Sequence, residues 1–253
     1  MTTFPFMFAE ARIGTSGFER QELVSGGPGG ELLGHYAQLL STVEISSSFQ
    51  KPPSAETLAG WAAVVPPGFQ FSLKLPRKIS HELRLAKAAA RNLGTFLESA
   101  SELGQHLGPL LVQLPPTFPL DLKALADFLR IVPSGPRLAF EFRHPSWQVP
   151  AVLRVLSQHE AALVVTDEDE SGPPPRIELT ADFAYLRIHR DHDEPGDFWE
   201  EWANRLAALS RRGVDVYAYV KHDKRGVAVE RARRLAALLR NEQSPAMESS
   251  MLT

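Results

Sequence analysis

LAFEFRHPSW, residues 138–147, and FAYLRIHR, residues 183–190, decide the fold of this chain. Each is a short apolar run that ends in charge. Successive side chains of a strand point to opposite faces. Phe140 and Phe142 therefore share one face while Glu141 and Arg143 share the other. Likewise Leu186 and Ile188 oppose Tyr185, Arg187 and His189. Five further runs end in the same way: TVEISSSF (42–49), FQFSLKLP (69–76), PLLVQLPP (109–116), ALVVTD (162–167) and DVYAYVKHD (215–223). ARIGT (11–15) completes a set of eight strands. Between them lie stretches of helical period, at 31–40, 55–64, 82–103, 122–132 with Asp121 as N-cap, 149–159, 197–212 and 228–241. Strands alternating with helices read as parallel βαβ units. The expected fold is α/β, a single (β/α)₈ TIM-type barrel over residues 1–240 with a disordered tail at 241–253. One stretch breaks the pattern. DEDESGPPPRIELT (167–180) has three consecutive prolines and no helical period, so a loop is expected to replace the helix between strands 6 and 7.

The chain has 253 residues, an ordinary size for one such barrel. Its 27 Lys and Arg nearly balance 30 Asp and Glu, for a net charge of −3. That argues against a general electrostatic grip on nucleic acid or an anionic membrane, while leaving room for a local basic pocket. There is no cysteine, which excludes disulfides, a thiol nucleophile and Cys-built zinc or iron–sulfur sites. This fits a cytoplasmic protein. The N-terminus MTTFPFMFAEAR lacks the basic start and apolar stretch of a signal peptide, and no apolar run reaches the roughly 18 residues of a membrane span. The Gly-rich stretch ELVSGGPGGE (22–31) reads as part of a mobile mouth loop over 18–31. It lacks the spacing of a dinucleotide-binding turn.

In a TIM-type barrel the residues at the C-terminal ends of the strands meet at one mouth. Here they are Glu44, Lys74, Gln113, Glu141, Arg143, Asp167, Arg187, His189 and Lys221. Arg143, Arg187, Lys74 and Lys221 would form an anion pocket, since Arg offers forked donors and Lys a mobile point charge. The structural alternative is internal pairing with Glu44, Glu141 and Asp167. Glu141, His189 and Asp167 are the candidates for moving protons, with Arg143 expected to depress the pKa of Glu141. Lys74 reads first as a binding or pairing lysine, and as a Schiff-base former if its pKa is depressed. Just past strand 5, His144 and Trp147 are placed for substrate contact. Trp147 either closes over a ring-shaped ligand or caps the barrel by packing. Tyr185, Tyr217 and Tyr219 read as lumen filler. HRDHDE (189–194) matches no metal-binding template, and 190–194 reads as a solvated loop. Arg231, Arg233, Arg234 and Arg240 read as the solvated face of the last helix.

IGTSGF, YAQLLSTVEISSSFQKPPSAETLAGWA, FSLKLPRKISHE, LGPLLVQLPPTF, AFEFRHPSW and FAYLRIH together resemble the DUF72 (YecE-like) family over roughly the whole length from Ile13 to the last helix. The resemblance implies a TIM-type barrel and no particular reaction, because the family has no established function. Among the positions that match its recurrent motifs are Thr15, Phe49, His81, Glu44, Lys74, Gln113, Glu141, Arg143, His144, Trp147, Asp167 and Arg187. Two places depart. The family's YFNND after strand 8 is YVKHD here, with Lys221 and His222 at the amide positions, and Arg190 stands where glycine is usual.

The functional expectation is an enzyme for a small anionic substrate, phosphorylated or carboxylated. Arg143, Arg187 and Lys74 would hold the anion, Glu141 with His189 or Asp167 would move protons, and Trp147 with the 18–31 loop would exclude water. One alternative is a divalent-metal phosphodiesterase or nuclease using Glu44, Glu141, Asp167 and His189 as ligands. Another is a non-catalytic module binding a nucleotide or RNA. The sequence specifies no cofactor, no resident metal and no oligomeric state.

Overall fold

The computed structural model describes residues 9–17, 29–168, 174–190, 197–221 and 227–243. Eight parallel strands close into a barrel in sequence order: β1 (Ala11–Thr15), β2 (Thr42–Ile45), β3 (Gln70–Lys74), β4 (Leu107–Leu114), β5 (Leu138–Phe142), β6 (Ala162–Asp167), β7 (Phe183–Ile188) and β8 (Asp215–Val220). The ladder between β8 and β1 closes the ring and runs from Ala11 opposite Val216 to Thr15 opposite Val220. Two ladders are short. β1 and β2 pair only at Gly14–Thr42 and Thr15–Val43, and β5 and β6 only at Ala139–Ala162 and Phe140–Leu163. Gly14 has a specific reason to be glycine, because a Cβ there would lie 2.0 Å from the Thr42 carbonyl oxygen.

The helices α1 (Gly29–Leu39), α2 (Ala55–Val64), α3 (Ala90–Ala100), α4 (Leu122–Ile131), α5 (Pro150–Gln158), α6 (Phe198–Arg211) and α7 (Ala228–Gln243) pack around the ring. Ser54 and Asp121 cap α2 and α4 by accepting from the amides of Thr57 and Ala124, which satisfies donors that the first helical turn leaves orphaned. The alternation read from the sequence sorts the core into two parts. Val43, Phe140, Leu186, Ile188, Val216 and Ala218 join the large core between strands and helices. Leu111, Ala139, Ala162, Val164, Phe183, Tyr185, Tyr217 and Tyr219 fill the lumen. The tyrosine hydroxyls in the lumen are satisfied: Tyr219 bonds Thr42 and Ser72, and Tyr217 donates to Gln70.

Three sequence expectations change. The long third helix over 82–103 is broken into a π-helical turn at Lys78–Glu82, a 3₁₀ turn at Lys87–Ala89, α3, and a further 3₁₀ stretch at Ser101–His106. Arg84 and Leu85 adopt positive φ, 46° and 64°, which lets Leu85 turn into the core and Arg84 lie 5.7 Å from the Phe118 ring. Tertiary packing overrides the local helical period here. Arg231 is buried rather than solvated, whereas Arg234 pairs with Glu200 on the outer surface. α7 runs on to Gln243, three residues into the expected tail, and the rest of that tail lies outside the described residues. So does the mouth loop up to residue 28, beyond which α1 begins. Glu168 and Pro174–Asp182, the described residues between β6 and β7, carry no helix, as the prolines imply. No helix among the described residues is long and apolar enough to cross a membrane.

Candidate active site

The lumen faces of β2, β3, β4, β5 and β7 deliver one connected polar network to the C-terminal mouth. Arg187, on β7, lies at its centre. One terminal nitrogen donates to Glu141 Oε2 at 2.6 Å and the other to Glu44 Oε1 at 3.0 Å. The Tyr185 hydroxyl, one row deeper, donates to Glu44 Oε2 at 2.8 Å, and Ser46 Oγ donates to Glu44 Oε1 at 2.6 Å. Glu141 Oε1 also accepts from Gln113 Nε2 at 2.8 Å and from Arg143 Nε at 2.9 Å. The other end of the Gln113 amide accepts from Lys74 Nζ at 2.7 Å. Glu44, Glu141 and Arg187 are all buried, which mutual pairing makes tolerable, although Arg187 Nε has no hydrogen-bond partner among the described residues.

The electrostatics give these groups different tasks. Burial alone would push the Glu141 carboxyl up, but Arg187, Gln113 and Arg143 win and bring its pKa down to about 2. Glu141 is thus a fixed anion that orients Arg143 and Arg187. Burial, helped by Arg187, lowers Lys74 to about 8 against the opposing fields of Glu44 and Glu141. Burial and then Arg187 lower His189 to about 4, and burial with Lys74 lowers His81 to about 4, so both rings are neutral at pH 7. His189 Nε2 is buried without a hydrogen-bond partner among the described residues. Arg143 keeps 44% of its side chain exposed and engages Glu141 through Nε, with no hydrogen bond from its two terminal nitrogens among the described residues.

The remaining candidates lie elsewhere. Asp167 does not join the network. It shares the helix-facing side of β6 with Val165, where its carboxylate accepts from Trp202 Nε1 on α6 at 3.0 Å and pairs with Arg190. Arg190, read as the start of a solvated loop, is consequently buried, and residues 191–194 lie outside the described residues. Trp147 is a packing residue. It stacks on Phe142 at 4.5 Å and 18°, meets Phe118 edge-on, donates to the Phe118 carbonyl at 2.8 Å and is 2% exposed. His144 Nδ1 accepts from the backbone and hydroxyl of Ser146, capping the 3₁₀ turn that carries Trp147. Lys221 is exposed just past β8, and its charge is felt at His189. His222 lies outside the described residues.

The site also includes two residues that received no role in the sequence reading. The Phe49 ring lies 4.1 Å beneath the Lys74 ammonium, and the His81 ring meets Phe49 edge-on at 4.7 Å. The π-helical turn after β3 carries His81 back over the mouth, which strand alternation alone does not reveal. Beside the network, where β5 and β6 part beyond their second pair, a cleft of about 820 Å³ opens. Glu141 and Arg143 border it on one side and Val164, Val165 and Thr166 on the other.

The four side chains weighed as metal ligands do not converge. Arg187 bridges the two glutamates and Asp167 faces the helix layer. Among the described residues no group of three or more acidic or imidazole side chains is arranged to hold a metal ion.

Comparison with known proteins agrees with this architecture. A DUF72 family protein from Enterococcus faecalis V583 superposes with a TM-score of 0.76 at 22% identity, covering 92% of this chain and 99% of the other. A second, from Thermotoga maritima MSB8, gives 0.76 at 24% identity over 91% and 99%. A putative vitamin-B12 independent methionine synthase from Listeria monocytogenes gives 0.51 at 8% identity over 97% and 100%. At these identities the likeness concerns the fold alone. No curated protein matches the chain. The family model described as "Protein of unknown function DUF72" matches residues 12–251, nearly the whole sequence, and the chain belongs to that family.

Proposed function

We propose that the barrel mouth is the active site of an enzyme for a small anionic substrate, phosphorylated or carboxylated. The observation that carries this reading is the charge count of the connected network. Among the described residues Lys74, Arg143 and Arg187 face two carboxylates, and Arg187 already occupies an oxygen of each. Arg143 reaches Glu141 through Nε, so its terminal nitrogens, together with Lys74 Nζ on the Gln113 amide, are the donors offered to a ligand. A guanidinium presented this way makes forked contacts to a carboxylate or phosphate, and a partly desolvated site strengthens them.

Proton movement falls to groups near that anion that are not held as fixed charges. His189, with an orphaned Nε2, and Lys74, with a pKa near working pH, suit it better than Glu141, which stays ionised as an anchor. Asp167 is assigned a structural part, locking Arg190 and Trp202. The metal-dependent alternative draws no support from a site whose carboxylates are spanned by a guanidinium. The lack of cysteine and the near-neutral charge accord with a cytoplasmic protein that does not rely on nucleic acid.

Thermal shift with inorganic phosphate, phosphorylated and carboxylated metabolites and their uncharged analogues tests the reading. A ligand present at 100 times its Kd stabilises the native state by about 2.7 kcal/mol. Anions should raise Tm and uncharged analogues should not, and Arg143→Ala should abolish the shift. The reading fails if no anion moves Tm, or if the shift survives in both Arg143→Ala and Lys74→Met.

A further inference from the structure

Lys74 is placed unlike an ordinary ion-pair lysine. Among the described residues its Nζ has no carboxylate partner, although Glu44 and Glu141 share the same lumen, because Arg187 holds an oxygen of each. Its hydrogen bond among the described residues goes to the neutral amide oxygen of Gln113. Phe49 packs beneath it and two guanidiniums, of Arg187 and Arg143, share the network. The side chain is half-buried at the C-terminal end of β3, where a substrate bound at the mouth would meet it.

From this geometry we infer that Lys74 is a covalent nucleophile that forms an imine with a carbonyl-bearing anion, such as a 2-oxo acid or a phosphorylated aldehyde or ketone. The inference rests on the anion reading above and narrows its substrate class. In the reaction the Nζ lone pair attacks the carbonyl carbon while the C=O π pair moves to oxygen. The resulting carbinolamine loses a proton from nitrogen and expels its oxygen as water, leaving a C=N bond, so no external oxidant or reductant is needed. The step requires an unprotonated amine. Arg187 and Arg143 repel a third cation, and burial penalises it. The Phe49 ring contact works in the opposite direction, by about 0.5–1 kcal/mol at exposed sites and more when desolvated. The net outcome of burial and the neighbouring charges is an amine that titrates near pH 8, within reach of physiological conditions. His81 and His189, both neutral at pH 7, are the nearby groups suited to carrying the protons that the dehydration moves.

Borohydride trapping tests this with the intact chain. The probes are glyoxylate, pyruvate and glyceraldehyde 3-phosphate, with acetaldehyde as the uncharged control. Peptide mass mapping then compares Lys74 with Lys51, Lys87 and Lys123, which lie exposed on the surface. The wild-type chain should carry reduced adduct on Lys74 at least tenfold above each of these lysines. Labelling of Lys74 should rise through about pH 8. Labelling of Lys74 no faster than the exposed lysines, with all three anionic carbonyls, overturns the inference. The comparison is internal to the wild-type chain and does not depend on a variant folding. Lys74→Arg, which keeps the positive charge but has no nucleophilic amine, should lose the adduct. Phosphate stabilisation without trapping leaves an anion site and removes the imine. Trapping by acetaldehyde without any anion shift removes the anion reading instead.

Discussion

Glu141→Gln asks whether the central carboxylate is held as an anion by the folded protein. The pKa of Glu141 drops from an ordinary 4.5 to about 2 on folding. At about 1.4 kcal/mol per tenfold change in proton affinity, that corresponds to stabilisation on the order of 3 kcal/mol. The sign follows from the depression: the contribution is complete above pH 4.5 and is lost as pH falls through about 2. An independent route gives a similar size, because removing one partner of a buried pair costs about 3–5 kcal/mol. Gln keeps the shape and can still accept from Arg143 or Arg187, but it cannot return the charge. Urea unfolding followed by circular dichroism, repeated between pH 7 and pH 2.5, should show Glu141→Gln less stable at pH 7 by roughly 3 kcal/mol. The deficit should narrow as pH falls below 4.5, because only the wild-type chain takes up the extra proton on unfolding. A variant within about 1 kcal/mol of wild type at pH 7 that also keeps the wild-type acid slope would refute this account of the network.

The other predictions concern the surroundings. His189 titrates near 4 when folded and near 6.5 otherwise, so it costs stability as pH falls from 6.5 towards 4. His189→Gln should flatten that limb by up to one proton, and an NMR titration of the ring should place its midpoint well below 6. Trp147→Ala should cost about 3–5 kcal/mol by opening a cavity against Phe142 and Phe118, read as a lower midpoint in urea. Asp167→Asn should lower Tm while leaving phosphate affinity within twofold, since its partners are Arg190 and Trp202; a tenfold loss of affinity would return Asp167 to the site. Gly14→Ala should cost at least about 1–3 kcal/mol, because its methyl group would overlap the Thr42 carbonyl and force the strands apart.

The barrel and most of its polar network were legible in the sequence because alternation within a strand is local. In AFEFR and YLRIH the polar row opposes an apolar one, so the lumen side identifies itself. ALVVTD offers no such contrast. Ala162 and Val164 on one face are as apolar as Leu163 and Val165 on the other, and Asp167 could not be assigned to the helix side without knowing that Trp202 and Arg190 wait there. Trp147 was visible as a large ring near the mouth. Its direction depends on a 3₁₀ turn capped by His144 and on Phe142 and Phe118, a combination no single spacing reveals. The broken third helix is the same lesson at larger scale, where burial of Leu85 outweighs a good helical period. That Arg187 would hold two carboxylates and leave Lys74 with an amide is a matter of distances across the lumen.

The two short ladders, β1–β2 and β5–β6, divide the ring into two four-stranded halves, β2–β5 and β6–β1. Few backbone bonds join those halves, so the lumen fastens them. Arg187 reaches from one half to Glu44 and Glu141 on the other, and Tyr185, Tyr217 and Tyr219 cross the same divide to Glu44, Gln70, Thr42 and Ser72. The charges at the mouth are therefore also the clasp of a two-part shell. A ligand that competes for Arg187 would loosen the grip of one half on the other, and binding at the centre would be felt along both seams.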